Sequence, residues 1–173
     1  MKNKIIDAIL QRRSIRKFTD QPVEHEKVQL LLQAGMAAPS ASNTQPWEFV
    51  VIDAPETLKK LKANLPLGKF NSPLCIVVCG NPDGGLKAVT ARMFWVQDCS
   101  AASENILIAA VGLGLGTVWC GVHPVHIFEG RMRAVFDIPK NVTPLGVIQV
   151  GYPAEKKEPG TKYQDSRVHW QKY

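Results

Sequence analysis

The sequence predicts an α+β fold in one domain, and three observations predict it. Helical and strand-like patterns mix along the chain without the strict β-α-β alternation of a doubly wound sheet. A long run from about Ala91 to Val111 is dense in small residues, among them Cys99, Ser100, Ala101, Ala102, Ser103, Ala109 and Ala110. A helix of that composition is apolar or small almost all round and belongs in the middle of the molecule, where other backbones can approach it closely. No repeat or linker divides the 173 residues, a length that suits a single domain with a real core. The core is expected over about 4–153, followed by a C-terminal arm over about 154–173.

The first helix runs from about Lys4 to Gln11, where Ile5, Ile6, Ala8, Ile9 and Leu10 mark one side for burial. Thr19-Asp20-Gln21-Pro22 is turn chemistry, and a second helix spans Glu24 to Ala37, stopped by Pro39. After a loop over 40–46, Trp47 to Ile52 has the aromatic and β-branched residues of a strand. Pro55 opens a short helix with Leu58, Leu61 and Leu65 at helical spacing, and Pro66 ends it. Leu74 to Cys79 is a second strand, and Gly80-Asn81-Pro82-Asp83-Gly84-Gly85 a loop. After the central helix, Thr117 to Val122 is a strand, Pro124 to Phe136 a helix and Pro144 to Val150 the last core strand. In the charged arm, Tyr163, Val168, Trp170 and Tyr173 are apolar groups that a free tail would not need. They imply packing on its own subunit or on a partner.

Composition narrows the function. The formal net charge is +6, which favours anionic ligands without choosing among them. Nucleic acid has the charge on its side but no motif of basic residues interleaved with aromatics, so no nucleic-acid partner is expected. Cys75, Cys79, Cys99 and Cys120 match no zinc spacing, and no metal is expected. Reduced thiols and the lack of an export signal point to the cytoplasm. The uncharged stretch Ile106 to Val122 is too short and too glycine-rich for a membrane span, which needs about 20 apolar residues. Gly112-Leu113-Gly114-Leu115-Gly116 follows a helix and precedes a strand, the reverse of a dinucleotide fingerprint, so it reads as a helix cap. No serine lies in a nucleophile elbow, and His25, His123, His126 and His169 show no partner arrangement; His123 alone, beside the glycine turn, could line a pocket.

Two stretches carry chemistry. Arg12-Arg13-Ser14-Ile15-Arg16 places three guanidinium groups and a hydroxyl at a helix-to-loop junction, suited to bidentate capture of phosphate and of the negative edge of a planar ring. Ala38-Pro39-Ser40 leads to Gln45-Pro46-Trp47. With Gln97-Asp98 and Glu104-Asn105 on the long helix, then Gly121 and Gly151-Tyr152-Pro153, the ordered set resembles the FMN-dependent nitroreductase family from Ile5 to Trp170.

The resemblance implies a mostly antiparallel central sheet flanked by helices, a homodimer with FMN at the subunit interface, and NAD(P)H as diffusible electron donor. Arg12 and Ser14, with Arg13 adjacent, match ligands of the phosphate and ribityl chain. Arg16 matches the cation at the pyrimidine edge of the flavin, where two-electron reduction leaves negative charge. Pro39, Ser40 and Asn43 match the loop that reaches the flavin from the other subunit. Gly121, with Trp119 and Cys120, matches the turn whose N–H reaches flavin N5, and Arg167 matches a second phosphate-binding cation. Asn64, Lys69 and Asn71 remain alternatives for one further flavin contact. No side chain need act as acid or base, because flavin N5 carries a hydride from NAD(P)H to a small electron-poor acceptor such as a nitroaromatic or quinone. Alternatives are a flavin-binding redox sensor with little turnover, a flavin destructase or a dehalogenase.

Overall fold

The computed structural model describes residues 3–65, 68–83 and 88–173. At its centre is a four-stranded sheet in the order β1-β2-β4-β3, antiparallel at every pairing. β1 is Trp47–Ile52, β2 Leu74–Gly80, β3 Gly116–Gly121 and β4 Thr143–Gly151. Among the described residues the helices are α1 Lys4–Gln11, α2 His25–Met36, α3 Pro55–Asn64, α4 Ala88–Gly112 and α5 His126–Phe136. Every expected helix and strand is present, with ends that move by a few residues. The helix expected from Pro124 starts at His126, because Val125 first closes a turn by donating to the Val122 carbonyl. Pro66, Gly84 and Gly85 lie outside the described residues.

Period-two alternation along β2 explains the layers. Ile76 and Val78 face α2 and α4, joining Leu31, Ile106 and Ile148. Cys75, Val77 and Cys79 face the other way, towards Leu61 of α3 and Met132 of α5. Both faces are covered, so β2 is buried throughout and reads in sequence as one unbroken apolar run. Burial pushes the Cys75 thiol up to about 11 and those of Cys79 and Cys99 up to about 12, as expected of cysteines that serve as small apolar residues.

α4 is buried at Cys99, Ala102, Ser103, Ile106 and Ala110, while Val89, Met93 and Phe94 near its start stay exposed. It ends in a left-handed residue, Gly114 at φ +73°, which lets the Leu115 N–H reach the Ala110 carbonyl. The uncharged run 106–122 therefore divides into helix end, turn and strand, and no helix among the described residues is long and apolar enough to cross a membrane.

α1 corrects one expectation. Its N-cap is well made, Asn3 accepting from the N–H groups of Ile5 and Ile6. None of its residues is buried, however, and Ile5, Ile6, Ile9 and Leu10 are 69, 52, 43 and 41% exposed. Periodicity establishes an apolar stripe but not what covers it, and none of the described residues buries it. The arm behaves similarly. Its start is fastened to the segment after α1, Ala154 donating to the Lys17 carbonyl, whereas Tyr163, Trp170 and Tyr173 are 68, 80 and 106% exposed.

Candidate functional site

The arginine segment leaves α1 extended and lies along β3, with the Ile15 N–H donating to the Thr117 carbonyl at 2.8 Å. Ile15 and Phe18 turn inward against Val118 and Phe70. Gly116 permits this approach, since a Cβ there would fall 2.9 Å from the Ile15 side chain. The intervening Arg12, Ser14 and Arg16 open instead onto a cavity of about 310 Å³. Among the described residues five cations line it, Arg12, Arg13, Arg16, Lys157 and Lys162, and no carboxylate does. Arg12 is braced by Glu104 of α4 at 3.3 Å. The arm holds the backbone: Lys157 donates to the Ser14 carbonyl at 2.6 Å, and the Arg16 N–H donates to Glu155 at 2.6 Å. That backbone bond, with Lys157 beside it, keeps the Glu155 carboxyl below its ordinary range.

Arg16 also lines a second cavity of about 320 Å³, with Gly68, Phe70, Val118, Trp119, Cys120 and Gly121. Here the walls are apolar and aromatic. A Cβ built on Gly121 would meet no atom within 4 Å, so the place of a side chain is part of the free space. One arginine thus joins a strongly cationic chamber to one lined mostly by apolar and aromatic residues. That donor set fits a molecule with a phosphate at one end and a planar ring at the other.

The sequence places Asn64, Lys69 and Asn71 as alternatives, and none of them lines the ring chamber. Asn64 donates to the Lys60 carbonyl on its own helix. Asn71 pairs with both backbone groups of Phe18, at 3.0 and 2.6 Å. Lys69 opens onto a separate and larger cavity of about 1010 Å³ between α2 and α3. Apart from Lys69 that cavity holds none of the predicted site residues, and its walls mix apolar groups with lysines and aspartates. Size alone would select it, but its chemistry is less committed than that of the arginine pair.

The Pro39–Asn43 loop is shaped by α4. Buried Asp98 accepts from the Ala41 N–H at 3.0 Å and from the Thr44 hydroxyl at 3.3 Å, while Ser40 Oγ accepts from the Gln45 N–H at 3.0 Å. These bonds hold Ser42, Asn43 and Gln45 at positive φ. Pro39, Ser40 and Asn43 line neither chamber of their own chain, nor does Arg167, exposed in a short helical turn of the arm. Trp119, Cys120 and Gly121 line the second cavity together with Arg16. Sequence reasoning missed Lys157, Lys162, Gly68 and Phe70. The only signal for the lysines was a charged arm, which composition reads as solvated.

His123 has a partner after all. Its Nδ1 lies 2.7 Å from Glu129 Oε1, and its ring meets Trp95 edge-on at 4.8 Å. The Glu129 side chain is 6% exposed and also faces His126 at 3.4 Å and Arg133 at 3.6 Å. Burial alone would raise this carboxyl, but hydrogen bonds from the two histidines and their charge outweigh it and hold it below 4.5. A folded value below the unfolded one means that Glu129 stabilises the fold above the unfolded value, a contribution lost as pH falls through the folded value. Glu129→Gln should therefore be less stable than the parent at pH 7, by about 1–3 kcal/mol. The gap in urea midpoint should narrow as pH falls through the lowered folded value of the carboxyl.

Comparison with known proteins agrees with this architecture. The profile of the nitroreductase family matches residues 9–65 and 68–152. A protein of Methanothermobacter thermautotrophicus, provisionally named an NADH dehydrogenase/NAD(P)H nitroreductase, is 43% identical over 98% of this chain and 87% of its own. The structure of an FMN-dependent nitroreductase from Clostridium difficile superposes with a TM-score of 0.88 at 30% identity, covering 97% of this chain and 99% of that one. A provisionally named nitroreductase from Desulfovibrio desulfuricans, solved in complex with FMN, gives 0.81 at 29% identity over 100 and 99% of the two chains.

Proposed function

The chain belongs to the nitroreductase family, and from that premise we propose that it is an FMN-dependent oxidoreductase. It takes a hydride from NAD(P)H and passes it to a small electron-poor acceptor of the nitroaromatic or quinone class. The observation that carries this reading is the pair of chambers joined at Arg16, one lined by five cations and one by Phe70, Trp119 and Gly121.

FMN, when bound, supplies the hydride chemistry at its N5. The protein supplies anchorage and electrostatics. Arg12, Arg13 and Ser14, with Lys157 and Lys162 from the arm, hold the phosphate and ribityl chain. Arg16 presents a fixed positive charge to the end of the ring where reduction leaves negative charge. With no side chain at Gly121, its backbone N–H could approach a bound ring. Phe70 and Trp119 would form the aromatic wall beside a bound ring.

The working unit is a homodimer. The uncovered stripe of α1 and the exposed aromatics of the arm both support this, as does the Pro39–Asn43 loop, which its own Asp98 braces but which lines no chamber in its own subunit. That loop reaches the flavin of the neighbouring subunit.

The test is the visible spectrum of the purified protein after equilibration with FMN, followed by NADH and NADPH in turn under argon. The expected result is a bound-flavin spectrum that bleaches faster with nicotinamide than free FMN does. A protein that binds no FMN overturns the reading. One that binds FMN but bleaches no faster than free flavin is a binding module and not an enzyme.

A further inference from the structure

We propose that Gln149 is a positioning residue that sets the width of the ring chamber by tying the 68–72 segment to β3, an inference that rests on the flavin reading above. Gln149 sits in the middle of β4 and is fully buried. A primary amide in that position is costly unless its donors and acceptor are satisfied. Here its Oε1 accepts from the Ser72 hydroxyl at 2.9 Å. Its Nε2 donates to the Gly68 carbonyl and, at 3.4 Å, to the Cys120 sulfur. Gly68 and Cys120 both line the ring chamber and meet there. One side chain therefore holds both walls from behind without lining the chamber itself.

The rest of the segment is fixed to match. Gly68 has φ +102°, and a Cβ there would lie 2.5 Å from the Cys120 sulfur, so the two walls already touch. Asn71 clips to the Phe18 backbone, and Lys62 Nζ donates to the Ser72 carbonyl at 2.7 Å. Between these fastenings Phe70 is wedged against Ile15, Phe18 and Val118. The aromatic wall is thus set before a ligand arrives, and the ring meets a chamber that needs no reordering. An aliphatic residue of similar size at 149 would fill the same volume and leave the Gly68 carbonyl and the Ser72 hydroxyl without their partner.

Three readouts on Gln149→Leu test this, one of which needs no flavin. Cys120 is the half-buried thiol, the other three cysteines being buried. Its alkylation by iodoacetamide in the apo protein, located by mass spectrometry, reports how tightly the 68–72 segment covers it. The rate should rise several-fold in the variant. FMN should bind about ten-fold more weakly, and the visible circular dichroism of the bound flavin should change, a signature that mere loss of stability would not move. Gly68→Ala, which forces a methyl towards Cys120, should reproduce all three changes, and it decides the matter if Gln149→Leu does not fold. A folded variant with parental alkylation rate, or with parental affinity and dichroism, overturns the proposal. If the parent itself binds no FMN, the flavin reading falls, and the alkylation comparison still decides whether the tie exists.

Discussion

Arg16→Ala is expected to weaken FMN binding by about 10- to 100-fold, the range for removing a charged hydrogen-bonding partner from an anionic ligand. It should also lower the reduction potential of the flavin that remains bound. The structure makes this a clean substitution. The Arg16 backbone is held by its N–H bond to Glu155, and its neighbours Ile15 and Phe18 are buried, so the segment keeps its course when the guanidinium goes. The side chain lies at the surface of the fold, and its removal should leave thermal stability close to the parent's. What disappears is the cation shared by the two chambers. Reduction by two electrons places negative charge on the pyrimidine side of the ring, and a fixed cation there favours the reduced form. Without it the potential moves down, which a titration against a reference dye measures directly. Arg16→Lys keeps the charge but loses the planar fork, so its potential should lie between those of parent and alanine variant. A potential unchanged in Arg16→Ala would place the stabilising cation elsewhere and remove Arg16 from the site.

Local patterns made most of the fold legible, because the features that fix it are close in sequence. Trp47–Ile52 and Lys4–Gln11 run between the residues that composition and periodicity indicate. The motif residues of the long helix have physical reasons that the sequence does not state. Asp98 shapes the Pro39–Asn43 loop, Glu104 braces Arg12, and Asn105 donates to the Ala34 carbonyl at the end of α2. α4 is thus the post to which the arginine segment and the Pro39–Asn43 loop are both fastened. What stayed hidden depends on long-range contact. Lys157 meets Ser14 across 143 positions and Gln149 meets Gly68 across 81, separations at which no periodicity connects them. The Glu129–His123 pair lies only six residues apart, yet it spans a turn and a helix start whose relative geometry decides whether the groups meet. The stripe on α1 was read correctly as apolar. Its burial was not, since amphipathicity is blind to whether the covering surface comes from the same chain.

Ile6→Asp turns that last point into the second large effect. Ile6 is 52% exposed in the single chain, so a carboxylate there should cost the subunit itself little. It would even sit in the first turn of α1, where negative charge suits the helix dipole, and the Asn3 cap uses the backbone N–H and not the side chain. Across a two-fold contact the same change acts twice, burying two charges against an apolar stripe without partners, at a cost of several kcal/mol for the dimer. The parent should therefore sediment at twice 19.1 kDa and the variant at 19.1 kDa, with little difference in far-UV circular dichroism. On the proposed dimer FMN should be lost with the partner, because Pro39, Ser40 and Asn43 line neither chamber of their own subunit and the proposal has them completing the site of the second copy. The variant's five cations remain in place, so any residual affinity measures what one subunit contributes by charge alone. A monomeric variant that binds FMN as tightly as the parent would show the site to be complete within one chain. A parent that is itself monomeric would leave the α1 stripe to some other partner.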